Sequence, residues 1–480
     1  MKLEVGIYFS EAKSAPCPDG WKMICDQEKV PHKFTDQPDC PVIVCEGSIP
    51  NWLPDFMDAG GVGILTGCNA GLLPFKTDFV SDAALEFIDL TELGASIARV
   101  ACLGSVFNGK GLGKIAIHER RITKSGITQD EFPVFIFQEY GQGGCWYSGL
   151  PLTRLLLAVG DTLREVESLD GFTERIVSID KHHIIKALRN LLIRSFNYRK
   201  LPYVHLWYYP GDYQSVFAFR IDVDGIFGNN LKKISDAALA NGFELTFFLN
   251  KSLCKQDEAL LREIDPRHEI GSHADIHNLF SDFDSNFTNI KNSMEWLESL
   301  PVKHGKWFAA PRGMWNFNLH RALEELGYPY TSDFGCAIAG FPFYPFICGR
   351  RSKTLQIPVN PFSVERSAIW LEESQQAALA NFDIVKRNFS SIIHENYPLD
   401  YPIMLYSHPE KFGAMADSIF QQLRQEIDKL NVWVATVSQF SDWWAERDTC
   451  DFEADFNQDS RELRVHGILN TKFSYREIFL

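Results

Sequence analysis

The chain has 480 residues, 45% of them apolar and 23% charged, and a formal net charge of −15. That length predicts roughly two or three domains, and so ordinary a composition excludes long disordered tracts. The acidic balance, with no stripe of Lys and Arg, argues against a nucleic-acid partner. No run of about 18 apolar residues is present, so no membrane span is expected. The opening MKLEVGIYFSEAKSAPC lacks a basic segment followed by an apolar one, and the 11 cysteines include no Cys-x-x-Cys pair. Both point to a cytoplasmic protein with reduced core thiols.

In chain order, Pro41–Cys45 reads as a buried strand and Trp52–Met57 as helical. A glycine turn from Ala59 feeds a further strand ending at Gly67, and Phe132–Phe137 and Cys145–Ser148 read as later strands. Such alternation predicts an open α/β domain. Asp180 is placed to cap a helix running to Tyr198, and the Leu201-Pro202 step punctuates the chain there. These signals divide the sequence into an accessory α/β domain over 1–200, a second domain over 201–449, and an extension over 450–480.

Within the second domain, strands are expected at Val216–Ile221, Glu244–Leu249, Glu269–His273, Lys306–Ala310, Tyr330–Asp333, Leu355–Val359, Pro402–Ser407 and Val432–Val437. Helical patterns lie between most of them, at Asn230–Asn241, Asn286–Leu300, Asn318–Gly327, Gln375–His394 and Ala416–Leu430. Parallel strands with crossover helices in one series predict a closed or nearly closed (β/α) barrel, whose reactive groups stand at the C-terminal strand ends.

Four polar clusters fall at such strand ends. Asp222 and Asp224 close the first strand two residues apart, on one face, before Gly225. His273 and His277 follow the third strand, and on one helical turn two imidazoles four apart would face the same way. Either motif alone is as readily an Asp-rich loop or a chance His pair. With Asp224 the imidazoles make a two-His, one-carboxylate metal set. Pro311-Arg312-Gly313 follows the fourth strand as a turn whose backbone N–H groups are placed to face the site. His408 ends a late strand and is a candidate acid.

Taken in order, Asp-x-Asp-Gly, Ser-His-x-x-x-His, Ala-Pro-Arg-Gly and Ser-His-Pro resemble the polysaccharide deacetylase family (carbohydrate esterase family 4, the NodB-homology domain), over about residues 213–445. The resemblance implies a distorted (β/α) barrel and metal-dependent hydrolysis of an N-acetyl amide on an amino sugar. It implies Asp224, His273 and His277 as metal ligands, Asp222 as general base, His408 as general acid, and the backbone N–H of Arg312 as an oxyanion donor. Zinc is the expected metal, with cobalt, nickel or manganese as alternatives. The family's third motif has an Arg two residues before the proline, where this chain has Ala309. Arg220 shares a strand face with Asp222 and is one substitute partner for the base; the Arg312 side chain is another. The family's acid-orienting Asp has Asp333 as its only candidate. The first domain resembles glutamine-amidotransferase-like (flavodoxin-like) domains through Gly60–Gly67, but Cys68 reads as a buried structural thiol. A carbohydrate is the leading substrate; a small non-sugar amide or ureide, or a silent scaffolding barrel, are the other readings. The aromatics Trp207, Tyr208, Tyr209, Trp307 and Trp315 suit either sugar stacking or the core.

Overall fold

The computed structural model describes residues 1–9, 18–117, 122–123, 126–127, 130–158, 163–167, 173–226, 228–347, 349–365, 375–467 and 472–479. The chain divides into two compact units. The first comprises Met1–Ala158, Ser178–Tyr208 and Arg447–Leu480, and the second Val159–Val177 and Tyr209–Glu446. Among the described residues no helix is long and apolar enough to cross a membrane.

The first unit is built on a seven-stranded sheet. Parallel strands Val5–Tyr8, His32–Thr35, Val42–Glu46, Val62–Thr66 and Gly143–Tyr147 form its body, with Phe135–Tyr140 antiparallel beyond them. Val42–Glu46 and Val62–Thr66 are buried throughout, as parallel strands covered on both faces are. This is the open α/β domain expected. An addition escaped the sequence reading: a four-stranded antiparallel sheet led by the long strands Asp78–Asp89 and Ile97–Asn108. Exposed Phe79, Phe87, Ile97 and Leu103 blur its alternation, so the period of two is weak there. The helix Lys181–Tyr198 forms as expected, but the Asp180 side chain does not cap it; it accepts from the Arg99 backbone N–H at 2.8 Å instead. The last residues also belong here. Glu453–Asn457 and Glu462–His466 form a hairpin, and Tyr475–Ile478 pairs with Tyr203–Leu206.

The second unit holds an eight-stranded sheet, parallel throughout. Its first strand, Ser215–Val223, is followed on one side by Thr246–Leu249, Glu269–Ser272, Trp307–Ala309, Tyr330–Asp333 and Leu355–Pro358. On its other side it pairs with Ile403–Ser407, and with Val432–Val434 at its start. No ladder joins Leu355–Pro358 to Ile403–Ser407 among the described residues. The Asn360 N–H donating to the Met404 carbonyl at 3.1 Å bridges that seam. The sheet is therefore a nearly closed, distorted (β/α) barrel.

The first strand shows how the barrel is filled. All nine of its residues are buried. Phe217, Phe219, Ile221 and Val223 pack outward with Leu231, Ile234, Phe412 and Ile419 of the surrounding helices. The alternate residues, Arg220 and Asp222 among them, face the other way, because successive side chains of a strand point to opposite faces. One stretch so serves both an apolar core and a polar interior.

Two expectations about elements need correction. Val437 begins the helix Val437–Asp448 rather than ending a strand. Thr436 and Gln439 form a capping box there: the Gln439 N–H donates to Thr436 Oγ1 at 3.3 Å, and the Thr436 N–H to Gln439 Oε1 at 3.0 Å. The last crossover helix starts at Pro409, not Ala416, since proline at a first helical position loses no hydrogen bond.

Candidate metal centre and active site

Asp224 stands just past the first barrel strand, with Oδ1 at 3.2 Å from both His273 Nε2 and His277 Nε2. The ligand-capable atoms of these three residues all lie within 4.8 Å of one another, and among the described residues they are the group so arranged. The residues His273–His277 are not helical. Ala274 takes a left-handed backbone (φ 63°), which breaks any helical turn. Asn250 Nδ2 donates to the His273 carbonyl at 2.9 Å, and Asn289 pins Ile276 through both its N–H and its carbonyl. The two imidazoles thus converge because a loop is tied from two sides, not through helical periodicity.

The electrostatics fit a cation. His273 Nδ1 lies 2.8 Å from the Ala309 carbonyl; it can only donate there, which turns Nε2 toward Asp224. Asp224 Oδ1 and His277 Nε2 are buried and, although close, are not in hydrogen-bond geometry. Buried polar atoms left so are costly. Burial would raise the Asp224 pKa, but His273, His277 and His408 outweigh it and hold the carboxyl well below the usual range. One carboxylate oxygen and two imidazole nitrogens are a donor set suited to zinc-like ions.

Asp222 and Arg220 flank this centre. Arg220 Nη2 donates to Asp222 Oδ2 at 3.0 Å, and its Nη1 to the Ser332 carbonyl. Its guanidinium also lies over the rings of Phe248 and Tyr406, at 5.6 and 5.3 Å. The other carboxylate oxygen, Asp222 Oδ1, is buried without a hydrogen-bond partner among the described residues.

His408 approaches from the end of the neighbouring strand Ile403–Ser407, with Nε2 at 3.6 Å from Asp224 Oδ2 and Nδ1 at 3.1 Å from Glu365 Oε2. Sequence reasoning missed Glu365. It also accepts from Ser407 Oγ at 2.9 Å and from the backbone N–H groups of His408 and Phe412. Burial alone would lower the His408 pKa; the Glu365 hydrogen bond and charge, with Asp224 and Asp222, raise it to about 9. Asp333, the residue sequence offered for this place, instead binds Thr331 Oγ1 and Gln356 Nε2 at 3.0 and 2.9 Å. The only earlier signal for Glu365 was a carboxylate following the sixth strand end, past the Asn360-Pro361 step; a search for Asp passes over it.

No hydrogen bond or ion pair joins the Arg312 side chain to this cluster among the described residues. That side chain is exposed, and the residue's backbone is left-handed (φ 58°, ψ 12°), a costly conformation for a residue with a Cβ. Gly313 follows, packed so tightly that a Cβ there would strike the Phe334 ring. Of the aromatics singled out by sequence, Trp207, Tyr208, Tyr209 and Trp315 are core residues.

The sequence across this centre, residues 221–331, matches the family model described as polysaccharide deacetylase. The chain carries a polysaccharide deacetylase domain of the NodB type. Among solved structures, similarity extends to a Mycobacterium smegmatis chain provisionally assigned as a polysaccharide deacetylase: 18% identity over 51% of this chain and 95% of that one, TM-score 0.41. A Pseudomonas aeruginosa chain with a like assignment shows 14% identity over 52% and 97%, TM-score 0.41. A family 4 carbohydrate esterase from Streptomyces lividans, solved with acetate, shows 14% identity over 46% and 93%, TM-score 0.31. No protein of curated function matches the chain.

Proposed function

We propose that the deacetylase domain hydrolyses the N-acetyl amide of an amino sugar, with a divalent cation, zinc by preference, on Asp224, His273 and His277. The observation that carries this reading is the convergence of those ligand atoms within 4.8 Å, with Asp222 and His408 beside them. A cation held there would polarise the acyl oxygen and acidify a water molecule. The chain's own groups do the rest.

Asp222 is the general base. Its Oδ1 has no hydrogen-bond partner among the described residues and faces the attacking water in this reading, while Arg220 pairs with Oδ2. Arg220 thereby takes the place of the arginine that the family has where this chain has Ala309. His408, held protonated by Glu365, delivers a proton to the departing amine nitrogen, which an amide needs before it leaves. The family pattern makes the backbone N–H of Arg312, on its left-handed turn, the oxyanion donor in this reading.

The first unit is accessory in this reading. Cys68 is buried, and that burial pushes its thiol well above the usual range, the reverse of what a nucleophile needs. The test is acetate release from a panel of N-acetylated sugars, nucleotide-linked sugars and ureides. Release from sugars supports the reading; release from ureides alone moves the substrate to a small amide. No release from any of them by metal-loaded protein identifies a silent barrel.

A further inference from the structure

The first unit holds a cleft that the proposed reaction does not use. It encloses about 470 Å³, the size of a small-molecule site. One wall is made where two parallel strands end: residues 67–69 follow Val62–Thr66, and Gly149, Pro151 and Arg154 follow Gly143–Tyr147. Open α/β sheets bind ligands outside such carboxyl ends. The other wall is antiparallel. On the strands Asp78–Asp89 and Ile97–Asn108, Asp82 stands opposite Ser105, and Ala84 opposite Leu103.

The two charged side chains lining the cleft stand in different electrostatic situations. Arg154 has Nε 3.4 Å from Glu46 Oε1. Glu46 is buried at the end of its strand, where it accepts from Thr66 Oγ1 at 2.5 Å and from Thr153 Oγ1. A Cβ on Gly67 would lie 2.7 Å from Glu46 Oε1, so glycine is what lets this carboxylate stand directly behind the cleft wall. The guanidinium charge is thereby met from behind. Asp82 is exposed, accepts from Ser105 Oγ at 2.6 Å, and is paired with no cation among the described residues. A neutralised guanidinium and an uncompensated carboxylate favour a ligand that is positive, not negative. Leu103 lines the same cleft. At 75% it is the most exposed large apolar side chain among the described residues, and a ligand that covers it gains from the apolar area removed from water.

We propose that this cleft binds an amino sugar, with its ammonium on Asp82, its ring hydroxyls between Arg154 and Ser105, and its C–H face on Leu103. Hydroxyls both donate and accept, as a wall with a guanidinium on one side and an oxygen pair on the other requires. A free phosphate or carboxylate would meet Asp82 with its own sign, and an N-acetylated sugar lacks the cation. Hydrolysis of such a sugar's amide by water releases acetate and leaves the amine, so the first unit recognises what the second produces. The inference rests on the deacetylase reading for the origin of the ligand, and on the cleft alone for its binding.

The experiment uses the full-length, metal-loaded protein and the variants Asp82→Asn and Arg154→Lys, each checked for unchanged melting. Ligand-observed NMR titrations at about pH 6.5, where such an amine is charged, compare glucosamine, N-acetylglucosamine, glucose and ethanolamine. The wild type should bind glucosamine at least about fivefold more tightly than each of the others, the effect of one charge-assisted hydrogen bond on a sugar already held. Asp82→Asn should bring glucosamine to within about twofold of glucose, and Arg154→Lys should weaken both alike and keep their ratio. A preference that survives Asp82→Asn, or is absent from the wild type, overturns the inference. Ethanolamine bound as tightly as glucosamine overturns the sugar and leaves a site for amines. If no N-acetylated sugar releases acetate while glucosamine still binds through Asp82, the deacetylase reading falls and the cleft stands.

Discussion

At the scale of single residues, the pairing of Arg220 with Asp222 invites a direct comparison with Arg312. Arg220→Ala should lower kcat/KM on the order of 10²-fold while bound metal stays, because it strips the base of its cation. Arg312→Ala should be mild, since only its backbone is placed to act; the opposite ranking would transfer the partnership to Arg312. Glu365→Gln should cost activity on the order of tenfold or more with metal retained, measured as acetate release beside metal analysis. Replacing both His273 and His277 by Ala should remove most bound metal, and stoichiometry equal to wild type would defeat the ligand assignment. Asp333 offers a stability test. Burial pushes its carboxyl up to about 7, against the hydrogen bonds from Thr331 and Gln356 and the Arg220 charge. Its folded pKa is thus above the unfolded value, so its contribution to stability is complete below about pH 4 and is lost as pH rises through about 7. Within that window the loss is on the order of 1 kcal/mol per pH unit, and denaturation of Asp333→Asn at several pH values should show a flatter curve than the wild type.

At the scale of elements, the ligand loop and the caps carry the argument. Sequence put His273 and His277 on a helical turn, and the loop instead depends on Asn250 and Asn289, which lie elsewhere in the chain. Side-chain to backbone bonds of that kind leave no periodicity to read. The capping box at Thr436 was written in the sequence as Thr-x-x-Gln, but the apolar Val432–Val437 run outweighed it. Gln439→Ala should destabilise the second unit by about 1 kcal/mol, read as a shift in denaturation midpoint. Apart from the last, whose end was placed three residues too late, the barrel strands were legible to within two residues, because parallel strands buried on both faces are short apolar runs bounded by polar strand ends.

At the scale of the molecule, the first unit gathers both ends of the chain. The Met1 amino group donates to the Phe456 carbonyl at 2.9 Å, and buried Arg447 donates to the carbonyls of Gln27, Glu28, Leu206 and Trp207. Arg447→Met would remove those four buried hydrogen bonds and should destabilise the first unit by roughly 2–4 kcal/mol in calorimetry. Nothing in residues 450–480 announced that role, since a short strand has no partner until a distant one is folded beside it. The sequence by itself determined the order of strands and helices in the barrel, and the four polar motifs that stand at its strand ends. Those follow from local pattern: alternation, apolar runs, and turn residues at fixed offsets. Tertiary structure alone decided that Glu365, not Asp333, meets His408, and that Arg220 meets Asp222 through a guanidinium also tied to Ser332. Each of these contacts except the Arg220–Asp222 pair joins residues remote in sequence, and a side chain's partner across a barrel is fixed by strand register and closure, which no local pattern encodes.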